Sequence, residues 1–212
     1  MSEKTARLLT TLKLQPVVPV LIIEDATHAV PLARALVAGG LKAIEITLRT
    51  PAALAAIEAV AKEVEGAVPG AGTILTPAQY EQAVKAGSQF IVSPGTTTAL
   101  IEAEKDYDAS FLPGAATATE AMTLLDAGYD VMKFFPAEQA GGASYLKSLS
   151  SPLAGITFCP TGGISLKNAR DYLSLPNVVC VGGSWVAPAH LVTAGDWAGI
   201  TALASEAAAL KG

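Results

Sequence analysis

Lys133 stands in the run "VMKFFP" (131–136), with Val131 and Met132 before it and Phe134 and Phe135 after it. Lysine is rarely buried unless its charge is compensated, so this position asks what the amine does. Two answers exist. It balances a buried carboxylate, or it is a nucleophile that attacks a carbonyl and forms an imine. Glu45, in "KAIEITLRT" (42–50), is the matching carboxylate. Strand alternation puts Glu45 and Thr47 on one face and Ile44 and Ile46 on the other, and the isoleucines suit a helix layer. Val131, Lys133 and Phe135 likewise share a face. If both strands belong to one closed sheet, Lys133 and Glu45 meet inside it. Desolvation by Phe134 and Phe135, with the charge of nearby Arg49, would favour the free amine. Glu45 would oppose that but would supply the proton shuttle an imine needs. On these residues alone, a buried ion pair that fixes strand register and a catalytic pair both stand.

Two glycine-rich stretches add a second chemistry. "PTGGIS" (160–165) and "VGGSW" (181–185) each follow an apolar run. Glycine lets backbone N–H groups approach phosphate oxygens, and Ser184 adds a hydroxyl donor. A single Gly-Gly pair is an ordinary turn; two at successive strand exits mark a phosphate site. Thr73 and Thr161 would place hydroxyls on the same rim, although an isolated threonine is more often a turn or cap residue. Pro94 and Phe135 would wall the pocket with apolar surface, Phe135 serving the core as well. "GAGTIL" (70–75) is not a dinucleotide fingerprint, because Leu75 occupies the third glycine position. The two histidines and two cysteines are too few and too scattered for a transition-metal site. No metal and no cofactor is expected.

These residues need a scaffold. Short apolar runs at 16–23, 42–47, 67–73, 90–95, 111–114, 131–136, 156–163 and 178–184 recur roughly every 20–25 residues, the span of a compact βα unit. Helical stretches lie between them. Thr50 and Pro51 open "TPAALAAIEAVAKEV", whose Leu54, Ile57, Ala61 and Val64 form one face. Thr76 caps "TPAQYEQAVKAG", with Gln79 as its capping-box partner and Gly87 at the exit. Asp25 caps "DATHAVPLARALVAGG", within which Pro31 bends or shifts the helix. Eight such units predict an α/β fold, a (β/α)8 TIM barrel, with an extra N-terminal helix over 3–13 closing the bottom. The competing architecture is an open doubly wound sheet. No linker divides the chain, so residues 1–212 form a single domain. The loops after the seventh and eighth strands, leading into helix N-termini, are then where a barrel binds phosphate. The segment 97–110 gives no reading.

Composition agrees with a packed core: 51% of residues are hydrophobic and 16% charged. The net charge of −5 argues against nucleic acid. No apolar run is long enough for a membrane span, and the first residues lack a signal-peptide layout. A cytoplasmic protein with no membrane partner is expected. Cys159 and Cys180, both in strand-like runs, read as buried free thiols.

Taken together, "EITLRT", "KFFPAE" and "FCPTGGI", with "PVVPVLIIED", "GAGTILTPAQ" and "VGGSWVAP", resemble the 2-keto-3-deoxy-6-phosphogluconate aldolases over nearly the full length. The resemblance implies a (β/α)8 lyase of the Entner–Doudoroff pathway, metal-free and typically a homotrimer. It acts through a Schiff base on Lys133, with Glu45 as general acid/base. It implies that Arg49 and Thr73 hold the pyruvyl carboxylate. Thr161, Gly162, Gly163, Gly183 and Ser184 would line the substrate and phosphate end. The expected reaction is cleavage of a phosphorylated keto acid to pyruvate and D-glyceraldehyde 3-phosphate. Three alternatives stay open: cleavage of the galactonate-configured sugar acid or of 4-hydroxy-2-oxoglutarate; a phosphosugar isomerase or epimerase in which Lys133 is only an electrostatic partner; and a non-catalytic phosphometabolite-binding barrel.

Overall fold

The computed structural model describes residues 2–210; residue 1 and residues 211–212, the ends of the expected domain, lie outside the described residues. The chain is an α/β fold whose strand pairs are all parallel among the described residues. Strands β1 (Val17–Leu21), β2 (Ala43–Thr47), β3 (Val68–Gly72), β4 (Phe90–Val92) and β5 (Ser110–Leu112) pair in chain order. They form one curled sheet, and β9 (Val181–Gly183) adds to β1 at its other edge. A second sheet joins β6 (Gly114–Ala115), β7 (Val131–Phe134) and β8 (Thr157–Pro160). The fifth expected strand is thus split into β5 and β6 by Pro113. The ladder carries on around it, because Pro113 keeps its carbonyl, which accepts from the Lys133 N–H at 2.8 Å.

Helix α1 (Glu3–Leu12) lies against β5. Leu8 and Leu12 reach the interior cluster of Val18, Ala43, Phe90, Val92, Leu112, Val131, Cys159 and Cys180. A helix therefore stands where the extra N-terminal helix over 3–13 was expected. Both cysteines are free and buried, with Sγ atoms 3.4 Å apart. The opposite face of the sheet packs Ile44, Ile46, Met132 and Phe134 against the helices. The period-two alternation therefore separates the two layers as expected.

Local boundaries depart from the sequence reading where other groups compete. Helix α2 (Ala29–Ala38) starts later than Asp25, whose carboxylate instead caps a 3-10 turn, accepting from Thr27 N at 2.9 Å. Pro31 then falls in the first helical turn, where its missing N–H costs nothing. Helix α3 (Ala53–Glu63) is not capped by Thr50, because that hydroxyl donates to Ile23 O at 2.5 Å. Its buried face is Ala53, Ala56, Ile57 and Val60; Leu54 is half-buried and Ala61 exposed. Helix α4 (Pro77–Lys85) is capped by Thr76 as expected, but the Gln79 side chain accepts from Leu75 N rather than from the cap residue. The uninterpreted 97–110 stretch holds α5 (Thr98–Glu104), capped by Thr97.

Four more helices complete the layer. They are α6 (Ala118–Asp126), α7 (Gly142–Leu149), α8 (Ala169–Leu173) and α9 (Ala189–Ala194). After them, α10 (Trp197–Ala208) packs on α2.

Candidate active site

Glu45 on β2 and Lys133 on β7 point into the interior from opposite sheets. Lys133 Nζ donates to Glu45 Oε1 at 3.1 Å, and the two residues are only 4% and 3% exposed. Two chain features make room for this contact. Gly72 lies across from Thr47 in the ladder, and a Cβ on it would sit 2.1 Å from Glu45 Oε1. Gly114 pairs with Lys133 and presents no side chain beside it. Gly72 was not singled out as a site residue; its signal was the "GAGT" run itself.

The surroundings of the amine differ from the expectation in one respect. Phe135 lies over it, with Nζ 5.4 Å from the ring centroid. Phe134 does not, because the alternation turns it to the helix layer, where it stacks on Tyr145 with centroids 5.7 Å apart. Arg49 Nε donates to Thr73 Oγ1 at 3.0 Å. Thr73 adopts φ +60°, the only left-handed non-glycine among the described residues. A β-branched residue there is strained by about 1–3 kcal/mol, and the surroundings hold it with its hydroxyl on the guanidinium.

Phe135, whose ring lies over the amine, also lines a cavity of about 150 Å³ at the C-terminal ends of the strands. Arg49, Phe135, Thr161, Gly162, Gly163, Gly183 and Ser184 all line it, as do Val20, Ile22 and Gly182, which sequence reasoning missed. Seven of the expected residues therefore converge on one space. Lys133, Glu45 and Thr73 are not in that lining. Pro94, half-buried at the exit of β4, is outside it too; its carbonyl crowds Gly114.

The two glycine turns are shaped for close approach. Gly162 and Gly163 have φ +105° and +74°. A Cβ on Gly182 would meet Thr161 Oγ1 at 2.2 Å, and one on Gly183 the Trp185 ring at 1.8 Å. The helices that follow begin some residues later, at Ala169 and Ala189, and are five and six residues long. The anion donors on offer are loop N–H groups and the exposed Ser184 hydroxyl rather than a long helix dipole. A paired amine and carboxylate near a polar, glycine-walled mouth can bind a ketone, move its protons and hold an anionic tail.

Comparison with known proteins gives this arrangement a context. The family model for KDPG and KHG aldolase matches residues 8–203. A 2-dehydro-3-deoxy-phosphogluconate aldolase of Pseudoalteromonas atlantica is 51% identical over 194 residues, covering 92% of this chain and 90% of that protein. The crystal structure of the 2-keto-3-deoxy-6-phosphogluconate aldolase of Zymomonas mobilis, with 3-phosphoglycerate, superposes with a TM-score of 0.90 at 52% identity over 95% of each chain. The KDPG aldolase of Legionella pneumophila, in which pyruvate was captured as a covalent carbinolamine, superposes with a TM-score of 0.92 at 42% identity over 98% of each chain.

Proposed function

The chain belongs to the KDPG and KHG aldolase family, and from that membership we propose a metal-independent, imine-forming lyase. It cleaves 2-dehydro-3-deoxy-6-phospho-D-gluconate to pyruvate and D-glyceraldehyde 3-phosphate. The observation that carries this reading is the buried 3.1 Å contact between Lys133 Nζ and Glu45 Oε1.

Glu45, in contact with the amine of Lys133, takes its proton as the ketone arrives. Lys133 then attacks C2; Glu45 gives its proton to the carbinolamine hydroxyl, which leaves as water, so that a protonated imine and a free carboxylate remain. Glu45, through a water, removes the C4 hydroxyl proton, and the C3–C4 bond breaks with its electrons delocalised onto the imine nitrogen. The aldehyde product leaves. Glu45 returns a proton to the enamine carbon, and hydrolysis frees pyruvate. Arg49 and Thr73, already joined, hold the carboxylate. Gly162, Gly163, Gly183 and Ser184 take the phosphate, with Thr161 and Phe135 between the two ends and Pro94 walling the pocket. Binding energy at the phosphate orients the bond that breaks.

Several broader readings go with this one. The sheets close into a single (β/α)8 barrel when β5 and β6 count as one strand. Support comes from the bridges Phe158–Val178 and Thr161–Gly182, which link β8 to the chain of β9. Residues 1–212 act as one domain. Homotrimeric assembly carries over from the family resemblance alone. No helix among the described residues is long and apolar enough to cross a membrane, and a phosphorylated metabolite as substrate fits a cytoplasmic setting. The imine nitrogen is the electron sink, so the reaction asks for no metal ligands, and full activity is expected after exhaustive chelation.

A second substrate, 4-hydroxy-2-oxoglutarate, fits the same pair, because the chemistry at C2 to C4 is common to both. Side-by-side kinetics decide: kcat/KM for the phosphorylated gluconate is expected to be the largest. Faster cleavage of the galactonate-configured acid or of 4-hydroxy-2-oxoglutarate would reassign the substrate, and isomerisation without cleavage would remove the lyase reading.

A further inference from the structure

The Thr161–Ser165 turn has little means of fixing its own shape, since Gly162 and Gly163 both take left-handed φ values. Its neighbours hold it. Ala137 N donates to Thr161 O at 2.8 Å and Glu138 N to Gly162 O at 3.1 Å. Asn168 Nδ2 donates to Gly163 O at 3.2 Å, while Ser165 N donates to Asn168 Oδ1 at 2.7 Å. Two of these donors belong to the segment that leaves the strand of Lys133. Glu138 also touches the turn through its stem: a Cβ on Gly163 would come within 2.7 Å of Glu138 Cβ and Cγ. Its carboxylate is anchored in turn by the hydroxyl of Tyr172, which donates to Glu138 Oε1. Tyr172 is fully buried on α8, the helix into which this same turn leads. Burial, and then the bond to Glu138, push the Tyr172 hydroxyl well above the usual tyrosine range, so it stays a donor at any working pH.

We propose that Glu138 and Tyr172 are positioning residues that hold the Gly162–Gly163 turn at a fixed place relative to Lys133, so that a phosphate seated on the turn sets the reacting carbon over the amine. Neither touches the substrate. The proposal rests on the reading of the glycine turn as the phosphate end.

Both sites tolerate a test. Glu138 is exposed, and Tyr172→Phe removes one hydroxyl without emptying the core. Y172F, E138A and E138Q are compared with the wild type on the phosphorylated substrate, on its unphosphorylated analogue, and in the rate of borohydride trapping with pyruvate. Y172F and E138A are expected to raise KM for the phosphorylated substrate about tenfold, the scale of one hydrogen bond to a charged group. E138Q, which keeps an acceptor for Tyr172, stays near wild type. Trapping with pyruvate and cleavage of the unphosphorylated analogue do not change. Equal losses in all three assays, or no loss in any, would overturn the proposal. A wild-type enzyme that handles both substrates alike would overturn the phosphate reading and this proposal with it, and the wild-type arm alone reveals that case.

Discussion

Among the described residues, Lys133 and Glu45 form the only ion pair in which both side chains are sealed from solvent; the other ion pairs hold at least one side chain 27% or more exposed. Isolated burial of either charge would be prohibitive, so each residue is the condition for the other. Glu45→Gln keeps the shape but cannot take the proton. It is expected to lower kcat by at least about 100-fold while pyruvate can still be trapped; near-normal turnover would remove Glu45 from the mechanism. Gly72→Ala tests the geometry instead of the chemistry. The new Cβ would have to displace the Glu45 carboxylate, and a shift of that size costs about 100-fold in turnover; a fully active G72A would show that the carboxylate's place is not critical. The pairing itself was legible in the sequence, because alternation in "EIT" and "MKF" fixes which side chains face inward. The environment was less so. Phe134 looked like a neighbour of the amine only because it is adjacent in sequence, and the same alternation that turns Lys133 in turns Phe134 out. Nothing in the composition could announce that Arg49 pairs with Thr73, since the left-handed conformation of Thr73 breaks the local rule for a β-branched residue.

Elements were read best where their ends carry their own signals. The Thr76 cap and the Gly87 exit, with φ +99°, are both in place. Misreadings arose where a capping side chain had a tertiary partner: the Thr50 hydroxyl reaches Ile23 O, a bond 27 residues distant that no local rule can foresee. Helix α1 packs on β5 and buries Leu8 and Leu12, at 1% and 0% exposure. Leu12→Ala should cost about 2–5 kcal/mol and lower Tm by roughly 5–15 °C, with kcat per folded molecule unchanged. An unchanged Tm would mean that α1 is not part of the core. Gly39 is where α2 and α10 meet: an added Cβ would lie 2.4 Å from Ala204 Cβ and 2.8 Å from Thr201 O. Gly39→Ala should therefore destabilise by about 1–3 kcal/mol through overpacking, measurable by urea unfolding; a neutral result would require α10 to slide freely.

For the molecule as a whole, the repeating βα units pointed to the parallel α/β sheet, whereas the break at Pro113 and the short helices after β8 and β9 did not show in the sequence. The pH range of stability also belongs to this scale. Burial, and then the charge of Glu104, push the Tyr80 hydroxyl above its ordinary value of 10.0, and Tyr129 and Tyr172 are raised too, again chiefly by burial. Above about pH 10 the unfolded tyrosines ionise while the folded ones stay neutral, so the folded state binds more protons and stability falls as pH rises. On the acid side, Glu120 is held low, first by the Ala116 N–H, so its contribution is lost as pH falls below the usual carboxylate range. Thermal melts across pH should show a plateau between these limits; a Tm that keeps rising above pH 10 would contradict the burial of the tyrosines. The central claim is that the amine of Lys133 becomes covalently bound to substrate. The direct measurement is incubation with pyruvate and borohydride, followed by mass mapping of the adduct. One equivalent of reduced pyruvyl adduct on Lys133, absent in Lys133→Met, is the predicted result. No adduct, or an adduct on another lysine, would contradict it.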